Sequence, residues 1–170
     1  DESRWTPDNL KGVRRCLPIE RRLYGAEIVI RVLIVCTGNS CRSQMAEGWL
    51  RHYGKGQIEA LSAGTHPAFL HPLAVQVMKE AGIDISSQYA KPVDEFADKQ
   101  LDYVVTVCDG AREECPVLPG RHTSIHMPFE DPAMFRGPAV ERLALFRKAR
   151  DQIREGMKAL AHSILHRHPR

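Results

Sequence analysis

The chain has 170 residues, 43% of them apolar and 26% charged, with a formal net charge of +3. That length suits one domain that buries its core without disulfide or metal staples. The charge is too small to argue for a nucleic-acid or membrane-surface partner, and no apolar run reaches the roughly 18 residues of a spanning helix.

Residues 1–26 carry two prolines and charges of both signs without a sustained apolar period, so they are expected to be a poorly ordered extension of a single domain at 27–170. The N-terminus has no apolar centre of the signal-peptide kind, and the chain reads as soluble and cytoplasmic. From Ile28 the text becomes "IVIRVLIV", a β-branched run that predicts a strand buried on both faces. After the loop "CTGNSC", the segment "RSQMAEGWLRHY" spaces Met45, Ala46, Trp49 and Tyr53 as a helix does, ending near Gly54. "QIEALSAG" predicts a second strand closing on Gly64, and "HPLAVQVMKEAGI" a helix with Pro72 at its start and Gly82 past its end. "VDEFADKQ" reads as a short helix, and "LDYVVTVC" as a third strand ending at Cys108. "GAREEC" reads as a helical turn stopped by Pro116, and "HTSIHM" as a fourth strand. From Ala139, the positions Leu143, Phe146, Ile153, Met157, Leu160 and Ile164 define one long amphipathic helix laid on the sheet. Strands alternating with helices predict an α/β three-layer sandwich with a central four-stranded parallel sheet flanked by helices. Sites in such sheets lie at the carboxyl ends of strands, where Cys36 and Cys108 are expected.

Cys36 and Arg42 are six apart, a C-x5-R-[ST] arrangement. Five short residues between them let the backbone N–H groups of Thr37, Gly38, Asn39, Ser40 and Cys41 curl inward at a helix start, a cradle for a tetrahedral oxyanion. Gly38 turns without steric cost, Asn39 tolerates positive φ, and the Arg42 fork holds two oxygens. The same field favours the thiolate form of Cys36, and Ser43 is positioned to hydrogen-bond it. Five cysteines in a reducing compartment point to catalysis or metal binding rather than cross-links. Zinc on Cys36, Cys41, Cys108 and Cys115 is disfavoured by their wide spacing and by the arginine inside the loop. The histidines of "HSILHRHPR" have no accompanying ligand pattern, and no metal site is expected.

The stretches "VCTGNSCRSQMAEGW", "LSAGTHP", "MKEAGIDIS", "DYVVTVC", "ECP" and "FEDPA" resemble the thioredoxin-coupled arsenate reductases, which share the fold and loop of low-molecular-weight protein tyrosine phosphatases. The likeness runs from about Val32 to the C-terminus and implies reduction of arsenate through a Cys36–arsenic adduct. A disulfide relay over Cys36, Cys108 and Cys115 would follow, re-reduced by thioredoxin, with Asp131 as the acid that protonates the departing oxygen. Phosphate and sulfate would compete with arsenate, and no bound cofactor is implied. Glu130 and Asp109 are rival acids, and two structural cysteines are the alternative to a relay. A phosphatase, which needs only Cys36, Arg42 and an acid, and a non-catalytic oxyanion binder are the alternative functions. Gln44 and Ala133 stand where such phosphatases carry proline and an aromatic ring, which favours a small inorganic substrate. Cys41 matches a family position outside the relay, and Cys16 has no counterpart. Some family members hold potassium with residues matching Asn39, Glu47 and Ser62, plus an aspartate near Lys91; here the Lys91 ammonium is expected to replace the ion against Glu47. Glutaredoxin or mycoredoxin are alternative reductants, and a monomer is expected.

Overall fold

The computed structural model describes residues 23–24 and 27–169, so Cys16 and most of the N-terminal extension lie outside the described residues. Leu23–Tyr24 (β1) and Glu27–Ile28 (β2) pair antiparallel as a small ribbon. The buried strand therefore starts later than the apolar run suggests, at Ile30–Cys36 (β3). It is followed by α1 (Arg42–Gly54), β4 (Ile58–Gly64), α2 (Pro72–Glu80), β5 (Tyr103–Thr106), α3 (Asp109–Glu114), β6 (Thr123–His126) and α4 (Ala139–Arg167). "VDEFADKQ" contributes one 3-10 turn, Val93–Phe96.

The main sheet has the order β4-β3-β5-β6, parallel throughout. Its centre is β3, which pairs with strands on both sides; Val32, Leu33, Ile34 and Val35 are fully buried, as a strand covered by helices on both faces must be. α1 ends in a left-handed C-cap at Lys55 (φ 48°), and Gly56 (φ 80°) completes the turn into β4. α4 lies alongside α1 and reaches α2, burying Phe146, Ile153, Met157, Leu160 and Ile164. Gly156 lets α4 approach the segment after β6: a Cβ there would stand 2.8 Å from the Phe129 ring.

Register places the site. Val35 of β3 sits opposite Thr106 of β5, and Cys36 opposite Gly64 of β4. β4, β3 and β5 thus end together, and the loops after them share one edge. The third strand stops at Thr106, two residues short of Cys108, which serves instead as the N-cap of α3. Among the described residues no helix is long and apolar enough to cross a membrane.

Candidate active site

Residues 37–41 leave β3 and return as α1, and they close around the sulfur of Cys36. The Asn39 amide donates to Cys36 Sγ at 3.1 Å, and Ser43 Oγ lies 2.9 Å from it. Ser43 Oγ accepts from Asn39 Nδ2 at 2.8 Å, so its own proton is free to point at the sulfur. Two donors on one sulfur stabilise a thiolate.

The positive φ of the loop belongs to Asn39 (φ 46°). Gly38 does not supply it; a Cβ there would make only an ordinary 3.4 Å contact with Ser40 Oγ. The glycine that the loop requires is Gly64 on the next strand, where a Cβ would stand 2.7 Å from the Thr37 carbonyl oxygen and 3.0 Å from the Asn39 amide. Its place at a strand end masks this role in the sequence.

Asn39 is held from every side. Its Oδ1 accepts from the Lys91 amide at 2.9 Å and from Gln44 Nε2 at 3.2 Å, while Nδ2 also donates to Ser62 Oγ at 3.0 Å. Gln44 Nε2 donates further to the Asn39 and Tyr89 carbonyls, and Gln88 Nε2 donates to Gln44 Oε1 at 2.7 Å. Behind this layer, Ser62 Oγ donates to Glu47 Oε2, and Arg51 pairs with the other Glu47 oxygen. Lys91 Nζ donates to the Tyr89 carbonyl at 2.9 Å and lies 3.8 Å from Glu47 Oε2. The bracing partners Gln88 and Tyr89 carry no signal in the sequence, because they come from an irregular segment 44 or more residues away from Gln44.

Arg42 opens α1 and reaches across the mouth of the loop. Nη2 lies 2.8 Å from Asp131 Oδ2, and Nη1 donates to the Phe129 carbonyl at 3.2 Å. Asp131 Oδ1 accepts from Ala133 N at 3.0 Å, capping the 3-10 turn Pro132–Met134. Of the three carboxylates weighed as acids, Asp131 is the one paired to Arg42. Glu130 is exposed, and Asp109 turns to His126 at 2.9 Å.

The four described cysteines are free. Cys108 Sγ lies 3.4 Å from Thr37 Oγ1, against the lip of the loop, and accepts from Ala111 N at 3.4 Å as the cap of α3. Cys115 is half-buried at the far end of that helix, and burial pushes its thiol pKa up. Cys41 sits inside the loop, where burial, opposed by a hydrogen bond from Ser40, pushes its pKa up to about 12. That thiol stays protonated and fills space. Among the described residues no three His, Cys, Asp or Glu side chains are grouped to hold a metal ion.

Comparison with known proteins agrees with this geometry. Residues 31–169 match the family model of low molecular weight phosphotyrosine protein phosphatases. An arsenate reductase of Halalkalibacterium halodurans is 42% identical over 132 residues, 78% of this chain and 95% of its own. A solved arsenate reductase in its oxidised state superposes with a TM-score of 0.68 at 33% identity, over 79% of this chain and 98% of that one. A thioredoxin-dependent arsenate reductase of Corynebacterium glutamicum is similar at 32% identity and a TM-score of 0.56, over 75% of this chain and 59% of its own. An arginine phosphatase from Geobacillus stearothermophilus has 27% identity and a TM-score of 0.65, over 81% of this chain and 94% of its own. A Cys-x5-Arg loop, an aspartate across its mouth and 139 matched residues place the chain in the low molecular weight phosphotyrosine protein phosphatase family, on its arsenate reductase branch.

Proposed function

We propose that the protein reduces arsenate to arsenite through a three-cysteine relay re-reduced by thioredoxin. The observation that carries this reading is the position of Cys108: a second thiol stands at the lip of the nucleophile's loop, with a third at the other end of the same short helix. A phosphatase has no use for either.

Arsenate has the shape and charge of phosphate, so the loop amides and Arg42 bind it as they would a phosphoryl group. The incoming oxyanion competes with Asp131 for the guanidinium, which frees the carboxyl group beside the departing oxygen. Cys36 thiolate attacks arsenic while Asp131 protonates that oxygen, which leaves as water. Cys108 thiolate then attacks Cys36 Sγ. The sulfur–arsenic bond breaks with its electron pair staying on arsenic, so As(V) becomes As(III), arsenite departs, and Cys36 and Cys108 are joined. Cys115 thiolate attacks Cys108 Sγ, expelling Cys36 as thiolate and leaving a Cys108–Cys115 disulfide for an outside dithiol to reduce. Such a chain works where thiols are kept reduced, as in the cytosol. The loop, Arg42 and Asp131 also suffice for slow phosphate-ester hydrolysis, and the likeness to phosphatases supports that side activity.

The Lys91 ammonium, close to Glu47 and the Tyr89 carbonyl, supports a built-in cation where relatives of the family bind potassium. Turnover is expected to change less than about twofold when potassium replaces sodium at fixed ionic strength; a several-fold rise contradicts the substitution.

The test is NADPH consumption with arsenate, thioredoxin and thioredoxin reductase. Wild type turns over, and Cys108→Ser and Cys115→Ser each lose multiple turnover at least a hundredfold. Aryl phosphate hydrolysis that dominates and ignores both substitutions would make the protein a phosphatase instead.

A further inference from the structure

The relay needs Cys108 held at the loop when the Cys36 adduct forms, and the contacts that hold it come from two sides. On one side, Thr37 Oγ1 lies 3.4 Å from Cys108 Sγ, and Gly110 is packed so closely that a Cβ would stand 3.0 Å from the same hydroxyl. On the other side, His126 at the end of β6 lies with Nε2 2.9 Å from Oδ1 of Asp109, the first residue of α3. The imidazole is itself fixed, with Nδ1 2.8 Å from Thr106 Oγ1 at the end of β5. A carboxylate can only accept, so Nε2 carries a proton. The Thr106 hydroxyl can donate to Nδ1, or accept from it while turning toward the Ile125 carbonyl at 3.5 Å. The geometry therefore survives in both charge states of the ring.

We propose that His126 is a positioning residue for the relay: anchored by Thr106, it ties Asp109 to β6 and so holds the first turn of α3, with the Cys108 sulfur, against the Cys36 loop. This deepens the reading of the protein as an arsenate reductase and rests on it. Neither side chain touches the oxyanion cradle. The His126 side chain is 21% exposed and that of Asp109 79%, so the tie is solvent-washed and its effect is modest.

The experiment measures, in a Cys115→Ser background, how fast one addition of arsenate converts Cys36 and Cys108 to a disulfide. Removing the tie by Asp109→Ala or His126→Ala is expected to slow that step roughly three- to tenfold. Asp109→Asn, which keeps an oxygen acceptor for Nε2, is expected to stay within about twofold of the background rate. Affinity for inorganic phosphate, which reads the cradle alone, is expected to be unchanged in all three. Alanine variants that form the disulfide at the background rate overturn the proposal, as does a parallel loss of phosphate affinity, which would make the effect general damage to the loop. Asp109→Asn as slow as Asp109→Ala also overturns it. Should the Cys115→Ser protein alone form no Cys36–Cys108 disulfide, both the tie and the arsenate reductase reading fall.

Discussion

At the scale of single residues, two buried cysteines within one loop meet different surroundings. Cys36 Sγ faces the Asn39 amide and the Ser43 hydroxyl, whereas Cys41 Sγ, equally buried, meets Ser40 Oγ at 3.6 Å. With its pKa raised to about 12 by burial, Cys41 keeps its proton in the fold and loses it near pH 8.5 when unfolded. The folded state thus binds more protons above that value, and stability falls as pH rises by up to about 1.4 kcal/mol per unit. Cys41→Ala costs about 1 kcal/mol at pH 7 through the lost sulfur volume. Urea unfolding is expected to show that gap closing between pH 8 and pH 10; a constant gap contradicts a buried protonated thiol. The sequence alone separates the two thiols only through the C-x5-R frame. The hydrogen-bond shell on Asn39, above all its tie to Lys91 and the bracing of Gln44 by Gln88 and Tyr89, depends on a segment whose path no local pattern specifies.

At the scale of elements, the proposed relay makes α3 the part that has to change. Its caps are Cys108 and Cys115, with six residues of helix between them; at about 1.5 Å of rise per step this separates their Cα atoms by roughly 10 Å, beyond the reach of about 7 Å that a disulfide allows. The proposed Cys108–Cys115 bond would therefore require α3 to unwind. Loss of the Cys108 cap on Ala111 N once the sulfur is oxidised favours that unwinding. Hydrogen exchange is expected to accelerate at Arg112 and Cys115, whose amides bond to Cys108 and Ala111 carbonyls, when the reduced protein is oxidised by arsenate; unchanged protection contradicts it. The start of α2 makes a second element-scale prediction. His71 Nδ1 accepts from Leu73 N at 3.1 Å as the N-cap, and burial, with Arg142 nearby, lowers the ring's pKa from 6.5. The folded state resists protonation, so this stabilisation is present above pH 6.5 and lost as pH falls below it. His71→Asn keeps a cap that does not titrate. Between pH 7.5 and pH 5.0 its Tm is expected to fall less than that of wild type, and an equal fall contradicts the cap.

At the scale of the whole molecule, the alternation of apolar runs with helical periods makes the four parallel strands and their helices legible, because buried parallel strands read as unbroken β-branched text. What sequence does not display is the register that brings Val35 beside Thr106 and Cys36 beside Gly64. That register is what sets Cys108 next to Thr37, and it comes from packing between segments some seventy residues apart. The strand end also shifts in a way local pattern misses: Cys108 caps α3, accepting from Ala111 N, and β5 stops at Thr106. Fold and chemistry meet in the proposal that one chain carries both electrons needed for one arsenate. Fully reduced protein mixed with excess arsenate and no external reductant tests it directly. One arsenite released per chain is expected, with peptide mapping that finds Cys108 joined to Cys115 and both Cys36 and Cys41 free. No arsenite, or arsenite accompanied by a disulfide that omits Cys108, would contradict it.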